Sequence, residues 1–196
     1  MTSSTDIIWE NLSETARLLL LLGFKEFSIM AQIADAIVHA YQHGGKVLLI
    51  GNGGSASQAE HLATEFVSRF KMKRSALPAL ALTVNSSLTS ALANDFGFEE
   101  VFTRQIEGLA QPGDILIAIS TSGSSTNIIR AVETAKSKQV LTVGWTGAQG
   151  SELAEKVDFA LMVPSNDTPR IQEAHLVAGH IICSLVELTL FGGSNV

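Results

Sequence analysis

From Lys46 onward the chain alternates short apolar runs with helical stretches, and that alternation leaves few folds open to it. Lys46 to Ile50, Ala79 to Thr83, Ile115 to Ser120, Leu141 to Trp145 and Phe159 to Val163 read as buried strands. Helical patterns fall between them at about Ser55 to Phe70, Leu88 to Asn94, Glu99 to Gly108, Asn127 to Ser137 and Ser151 to Glu155. A last helix is expected from about Pro169 to Leu190, with Asn166, Asp167 or Thr168 available as its cap. Strands alternating with helices build right-handed βαβ units, so the expected fold is α/β: a doubly wound, five-stranded parallel sheet with helices on both faces. Two helices precede it, from about Thr5 to Leu22 and from Phe27 to His43, and Gly44-Gly45 stops the second. The 196 residues are read as one domain, with 1–45 an N-terminal helical segment and 46–196 the α/β core.

Composition adds limits. The chain is 46% hydrophobic and 16% charged, which is apolar for a monomer of this size. A homo-oligomer packed through its N-terminal helices would bury the surplus. A formal net charge of -6 offers no general attraction to nucleic acid or an anionic membrane. Cys183 is the single cysteine and sits in an apolar run, so it reads as a core residue and excludes an intrachain disulfide. The apolar run Leu18 to Leu22 is far shorter than the roughly 20 residues of a membrane span. It also lacks signal-peptide flanks, and a cytoplasmic location is expected.

In a doubly wound sheet, ligands bind beyond the carboxyl ends of the strands. The first strand runs into Gly51-Asn52-Gly53-Gly54-Ser55 and then directly into a helix. Glycines let backbone approach an anion, and a helix start offers free N–H groups. No Gly-Lys-Ser/Thr ending follows, and Gly-x-Gly-x-x-Gly is not completed after Gly53, so neither nucleotide pattern is met. The third strand runs into Ser120-Thr121-Ser122-Gly123-Ser124-Ser125-Thr126-Asn127, again opening a helix. Hydroxyls without a lysine or arginine suit a phosphate monoester held by neutral donors. Each loop alone is also compatible with a plain capped turn; two in one sheet favour a shared crevice.

His61 and Glu65 lie about 40° apart around their helix and about 6 Å along it, so both can address one cavity. Such a pair serves as metal ligands, as a proton-transfer pair, or as an idle surface pair. On the last helix Gln172 and His180 share a broad side, about 80° apart, which permits joint action without requiring it. Glu173 reads as a solvent-facing or capping carboxylate, and His175 as a packing or surface histidine.

The loops Gly51-Asn52-Gly53-Gly54-Ser55 and Ser120-Thr121-Ser122-Gly123 resemble the sugar isomerase (SIS) domain family, a doubly wound α/β fold that binds phosphosugars. The resemblance implies that Ser120, Thr121, Ser122 and Ser125 hold the substrate phosphate and that Asn52, Gly53, Gly54 and Ser55 line the sugar. His61, Glu65, Gln172 and His180, with Arg170-Ile171-Gln172-Glu173, are similar to the phosphoheptose isomerases within that family, over about Lys46 to Leu190. This implies one zinc per subunit at those four positions, with Glu65 and His180 moving protons and Asn94-Asp95 touching substrate. It further implies a homotetramer with sites at subunit boundaries and sedoheptulose 7-phosphate as substrate. The sequence departs at Ser57-Gln58 and at Pro169, where some members carry an acidic residue; Asp167 is close but offset. Lys71-Met72-Lys73-Arg74 reads as a solvated loop, and Arg69 is a better candidate for reaching a neighbour's substrate.

Two rivals are weighed. A non-catalytic regulator that binds a replication-initiator protein lacks the carboxylate and histidine that stand here as Glu65 and His180. A pentose-phosphate isomerase usually carries regulatory repeats after the sugar-binding domain, and none is expected before Val196.

Overall fold

The computed structural model describes residues 3–193. Its order is α1 (Ser4–Leu21), α2 (Phe24–Gln42), β1 (Val47–Gly51), α3 (Gly54–Val67), β2 (Ala79–Ala81), α4 (Ser86–Phe96), α5 (Thr103–Leu109) and β3 (Ile115–Ile119). There follow α6 (Thr126–Ser137), β4 (Leu141–Thr146), α7 (Ser151–Lys156), β5 (Phe159–Met162) and α8 (Thr168–Phe191). The five strands form one wholly parallel sheet in the order β2-β1-β3-β4-β5. The chain winds one way from β1 to β2 and the other way from β3 onward. The switch point therefore lies between β1 and β3, the two strands that carry the candidate loops.

Alternation along the strands divides the core into two layers. Val47, Leu49, Ile115 and Ile117 face the layer made by α2, α3 and α8. Leu48, Ile50, Leu116 and Ala118 face the layer made by α4 to α7. All five residues of β1 and of β3 are buried, as expected of strands covered on both sides. By length and mean hydropathy α8 is apolar enough to cross a membrane, but Ile182, Cys183 and Val186 pack it into the core.

Several boundaries differ from the sequence expectation, each for a local reason. The second helix begins at Phe24, because Glu26 reaches back to accept from the Gly23 N–H at 2.9 Å. β2 keeps three residues, since an edge strand pairs on one side only. α3 stops at Val67 instead of continuing to Phe70, for a reason that lies in Arg74 and Glu187. Pro169 falls in the first turn of α8, where its missing N–H costs nothing.

α1 lies on α8. Arg170 donates to the Asn11 carbonyl at 3.2 Å, to Asn11 Oδ1 at 2.8 Å and to Thr15, and it pairs with Glu173 at 2.8 Å. Glu173 also accepts from Thr15 Oγ1 at 2.6 Å, so this carboxylate docks the first helix and does not simply face solvent. Leu18 is the buried residue of α1, against Val163, Ile171 and Ala174. Ile8, Trp9, Leu12 and Leu20 stay exposed, Trp9 at 73% and Leu20 at 86%.

Candidate active site

The glycine loop is shaped by contacts that exclude a side chain. Gly53 takes φ +55° as the residue before α3. A Cβ on Gly51 would meet the Ser55 backbone at 2.5 Å, and one on Gly54 would collide with the Gln172 amide. Ser55 is buried, while Gly53 and Gly54 remain open to the crevice. Asn52 and the buried Asn127 exchange two amide hydrogen bonds of 2.9 Å, fastening this loop to the start of α6.

Across the switch point, Ser120 Oγ lies 3.3 Å from Ser125 Oγ and 3.5 Å from Ser122 Oγ, and it accepts from the Gly123 N–H at 3.2 Å. Ser125 precedes α6 without capping it, so its hydroxyl is turned into the loop. Beside it lies a cleft of about 300 Å³, lined by Thr121, Ser122, Ser124, Gln149, Asn166 and Thr168 among others. No cation stands among its lining residues, and its donors are hydroxyls and amides. Gln149 and Ser165 had no signal in the sequence; Asn166 and Thr168 were visible there only as caps.

The second cluster sits where α3 and α8 run side by side. His61 Nε2 lies 2.8 Å from His180 Nε2 and 3.2 Å from Glu65 Oε1. All three side chains offer a ligand atom within 4.8 Å of one another. Two imidazole nitrogens and a carboxylate oxygen converging from two helices form a donor set that suits a zinc-like divalent ion and leaves room for a fourth ligand. The pair of facing imidazoles is otherwise satisfied only when one Nε2 carries the proton and the other accepts it. Phe70 leans on His180 with ring centroids 5.4 Å apart.

Gln172 stands two turns, about 12 Å, before His180 on α8. Its side-chain amide rests against Gly54, and its backbone carbonyl accepts from Gln58 Nε2 at 2.6 Å. Asn94 donates to Asp95 at 2.8 Å, and both are exposed on α4. Asp167 lies just before α8, 3.5 Å from Arg170 Nε. His175 is fully buried, its Nε2 3.3 Å from the Thr146 carbonyl, and burial pushes its pKa down to about 4. Cys183 is buried too, and desolvation pushes its thiol up to about 12, out of reach as a nucleophile.

Arg74 corrects the reading of Lys71 to Arg74 as solvated. Its guanidinium is buried and pairs with Glu187 at 2.9 Å, each side chain only 2% exposed. Glu187 escaped the sequence reading because one carboxylate within an apolar run carries no spacing signal.

These features define a class: a doubly wound α/β domain with a hydroxyl-lined cleft after β3 and a histidine–carboxylate cluster, the plan of a phosphosugar isomerase. Residues 12–147 match the SIS domain. Phosphoheptose isomerases from Roseiflexus sp. (strain RS-1) and Burkholderia pseudomallei (strain 1710b) are similar to the chain. The first is 50% identical over 163 residues, 83% of each protein, and the second 48% over 187 residues, 94% of this chain and 95% of the relative. The solved phosphoheptose isomerase of Francisella tularensis superposes with TM-score 0.90 at 34% identity, covering 94% of this chain and 98% of that one. That of Neisseria gonorrhoeae gives 0.87 at 33%, covering 94% and 99%. The chain belongs to the SIS domain family and, within it, to the phosphoheptose isomerases, and it is an isomerase.

Proposed function

We infer that this protein interconverts sedoheptulose 7-phosphate and D-glycero-D-manno-heptose 7-phosphate through an enediolate. The observation that carries the reading is the convergence of His61, Glu65 and His180 at 2.8 and 3.2 Å in a domain that also holds a hydroxyl-lined cleft after β3. In the open-chain ketose, Glu65 takes the proton from C1, leaving an enediolate whose negative charge is shared between O2 and C1 while O1 keeps its proton. Glu65 then returns the proton to C2, while His180 carries a proton between O2 and O1 and assists ring opening. Ser120, Thr121, Ser122 and Ser125 hold the phosphate; Asn52, Gly53, Gly54 and Ser55 line the sugar, with Asn94 and Asp95 reaching substrate from α4.

The donor set fits zinc, which His61, Glu65 and His180 would hold, with Gln172 as the fourth ligand that the family resemblance implies. When bound, such an ion polarises the sugar oxygens and stabilises enediolate charge. Exposed Ile8, Trp9, Leu12 and Leu20 on α1 and Ile181 and Leu188 on α8 support assembly as a homotetramer with sites at subunit boundaries. The enzyme then serves heptose biosynthesis in the cytoplasm, toward ADP-heptose for the lipopolysaccharide core or a related heptose.

The test is to incubate the purified protein with sedoheptulose 7-phosphate, with and without a chelator, and follow the sugar by NMR. Aldose heptose 7-phosphate is the expected product. Its absence under every metal condition would move the reading to a non-catalytic regulator.

A further inference from the structure

The cluster is carried by two helices that need something to fix them to each other. Glu187 lies seven residues beyond His180 on α8, hence on nearly the same face and about 10 Å further along. Its carboxylate accepts from three successive backbone amides, Phe70 at 3.2 Å, Lys71 at 2.7 Å and Met72 at 2.8 Å, and from Arg74 Nε at 2.9 Å. Arg74 in turn donates to the Glu65 carbonyl at 2.7 Å and to the Phe66 carbonyl at 2.8 Å. Those carbonyls belong to the last turn of α3, where no later helical N–H is available to them. The same unit therefore ends the helix that carries Glu65 and seats the Phe70 ring on His180.

A buried ion pair is a costly way to gain stability, because desolvating both charges cancels most of their attraction. Burial alone would raise the Glu187 carboxyl, yet the amides of Lys71, Met72 and Phe70 and the Arg74 guanidinium outweigh it and hold it below the ordinary carboxylate value. Glu187 is thus held in its charged form, and apart from their mutual bond the hydrogen bonds of the pair go to backbone between Glu65 and Ser75.

We propose that Arg74 and Glu187 are positioning residues for isomerisation, which set Glu65 and His180 at their working separation without touching substrate. This rests on the reading of Glu65 and His180 as the groups that move protons.

The experiment uses the full-length protein labelled with 15N-histidine, as wild type, Arg74→Lys and the uncharged double variant Arg74→Met/Glu187→Leu. Circular dichroism and hydrodynamic size establish which variants fold. In folded Arg74→Lys the imidazole signals of His61 and His180 are expected to shift while those of His175 and the distant His39 and His43 stay. Its kcat should fall about 10- to 100-fold, with KM within about twofold, because a displacement of roughly 1 Å at the reacting groups has that cost. Wild-type imidazole signals, unchanged kcat, or a loss that merely follows the unfolded fraction would overturn the proposal. If Arg74→Lys does not fold, the double variant is judged by the same criteria. If the wild type fails to turn over the heptose, the functional reading falls, and the histidine signals alone decide the positioning role.

Discussion

Asn52 and Asn127 bind each other through both their amide groups, each donating to the other at 2.9 Å across the mouth of the crevice. One residue belongs to the glycine loop and the other to the first turn of α6, so this pair holds the two halves of the candidate site in register. Replacing Asn127 by Ala leaves the half-buried amide of Asn52 unpaired and frees the loop. The expected result is a KM for the sugar phosphate raised about tenfold, the factor carried by about 1.4 kcal/mol, with the larger share of kcat retained. Steady-state kinetics check this, and an unchanged KM would show that the loops are held by other means.

Glu65→Gln keeps the size and burial of the side chain but removes the base. Turnover should fall by about 10²- to 10⁴-fold with an unaltered circular dichroism spectrum. A variant with wild-type turnover sinks the assignment of Glu65.

His61→Ala removes the nitrogen that lies within reach of both other donors. Zinc affinity, measured by competition with a chromophoric chelator, should drop at least tenfold. An unchanged affinity would place the metal elsewhere.

Protonating His175 means putting charge into the core. Because burial lowers its pKa to about 4, the unfolded chain takes up a proton between about pH 6.5 and pH 4 that the folded chain refuses. This contribution to stability is complete above about pH 6.5 and is lost as the pH falls toward 4. At 1.36 kcal/mol per pH unit it amounts to at most about 3 kcal/mol. His175→Phe should flatten the pH dependence of the denaturation midpoint across that window, since the Thr146 carbonyl still accepts from the Val163 N–H at 2.9 Å. A slope equal to wild type would assign the effect to other groups.

Leu20, 86% exposed on α1, is the sharpest probe of assembly. Leu20→Glu should yield a smaller species by light scattering with its helicity intact. An unchanged mass would remove α1 from the interface.

Much of this was legible in the sequence because it is periodic or local. Continuous apolar runs such as Ile115 to Ile119 announce a strand covered on both faces, and the two loops announce themselves by composition. His61 and Glu65 share a helix, so their meeting follows from a spacing of four. His180 reaches His61 only through the packing of α8 on α3, 119 residues away in sequence, and only the resemblance to a family joined them beforehand. Arg74 and Glu187 were invisible for the same reason: each is an ordinary charged residue until the fold removes both from water. Phe70 was placed at a helix end that Arg74 in fact cuts short.

The parallel lay of α3 and α8 has a consequence for how such a chain can change. Gly54 abuts Gln172, Leu62 approaches Gly179, and His61 meets His180, so the two helices act as matched rulers with their marks aligned. Removing a single residue between Gln172 and His180 would turn everything after it by about 100°. The histidine and the carboxylate of Glu187 would then swing away together. Substitutions on these helices can be absorbed one at a time, whereas a change of length between the marks cannot. Insertions and deletions in α3 between Gly54 and Glu65, or in α8 between Gln172 and Glu187, should therefore abolish activity even where the surrounding loops accept them.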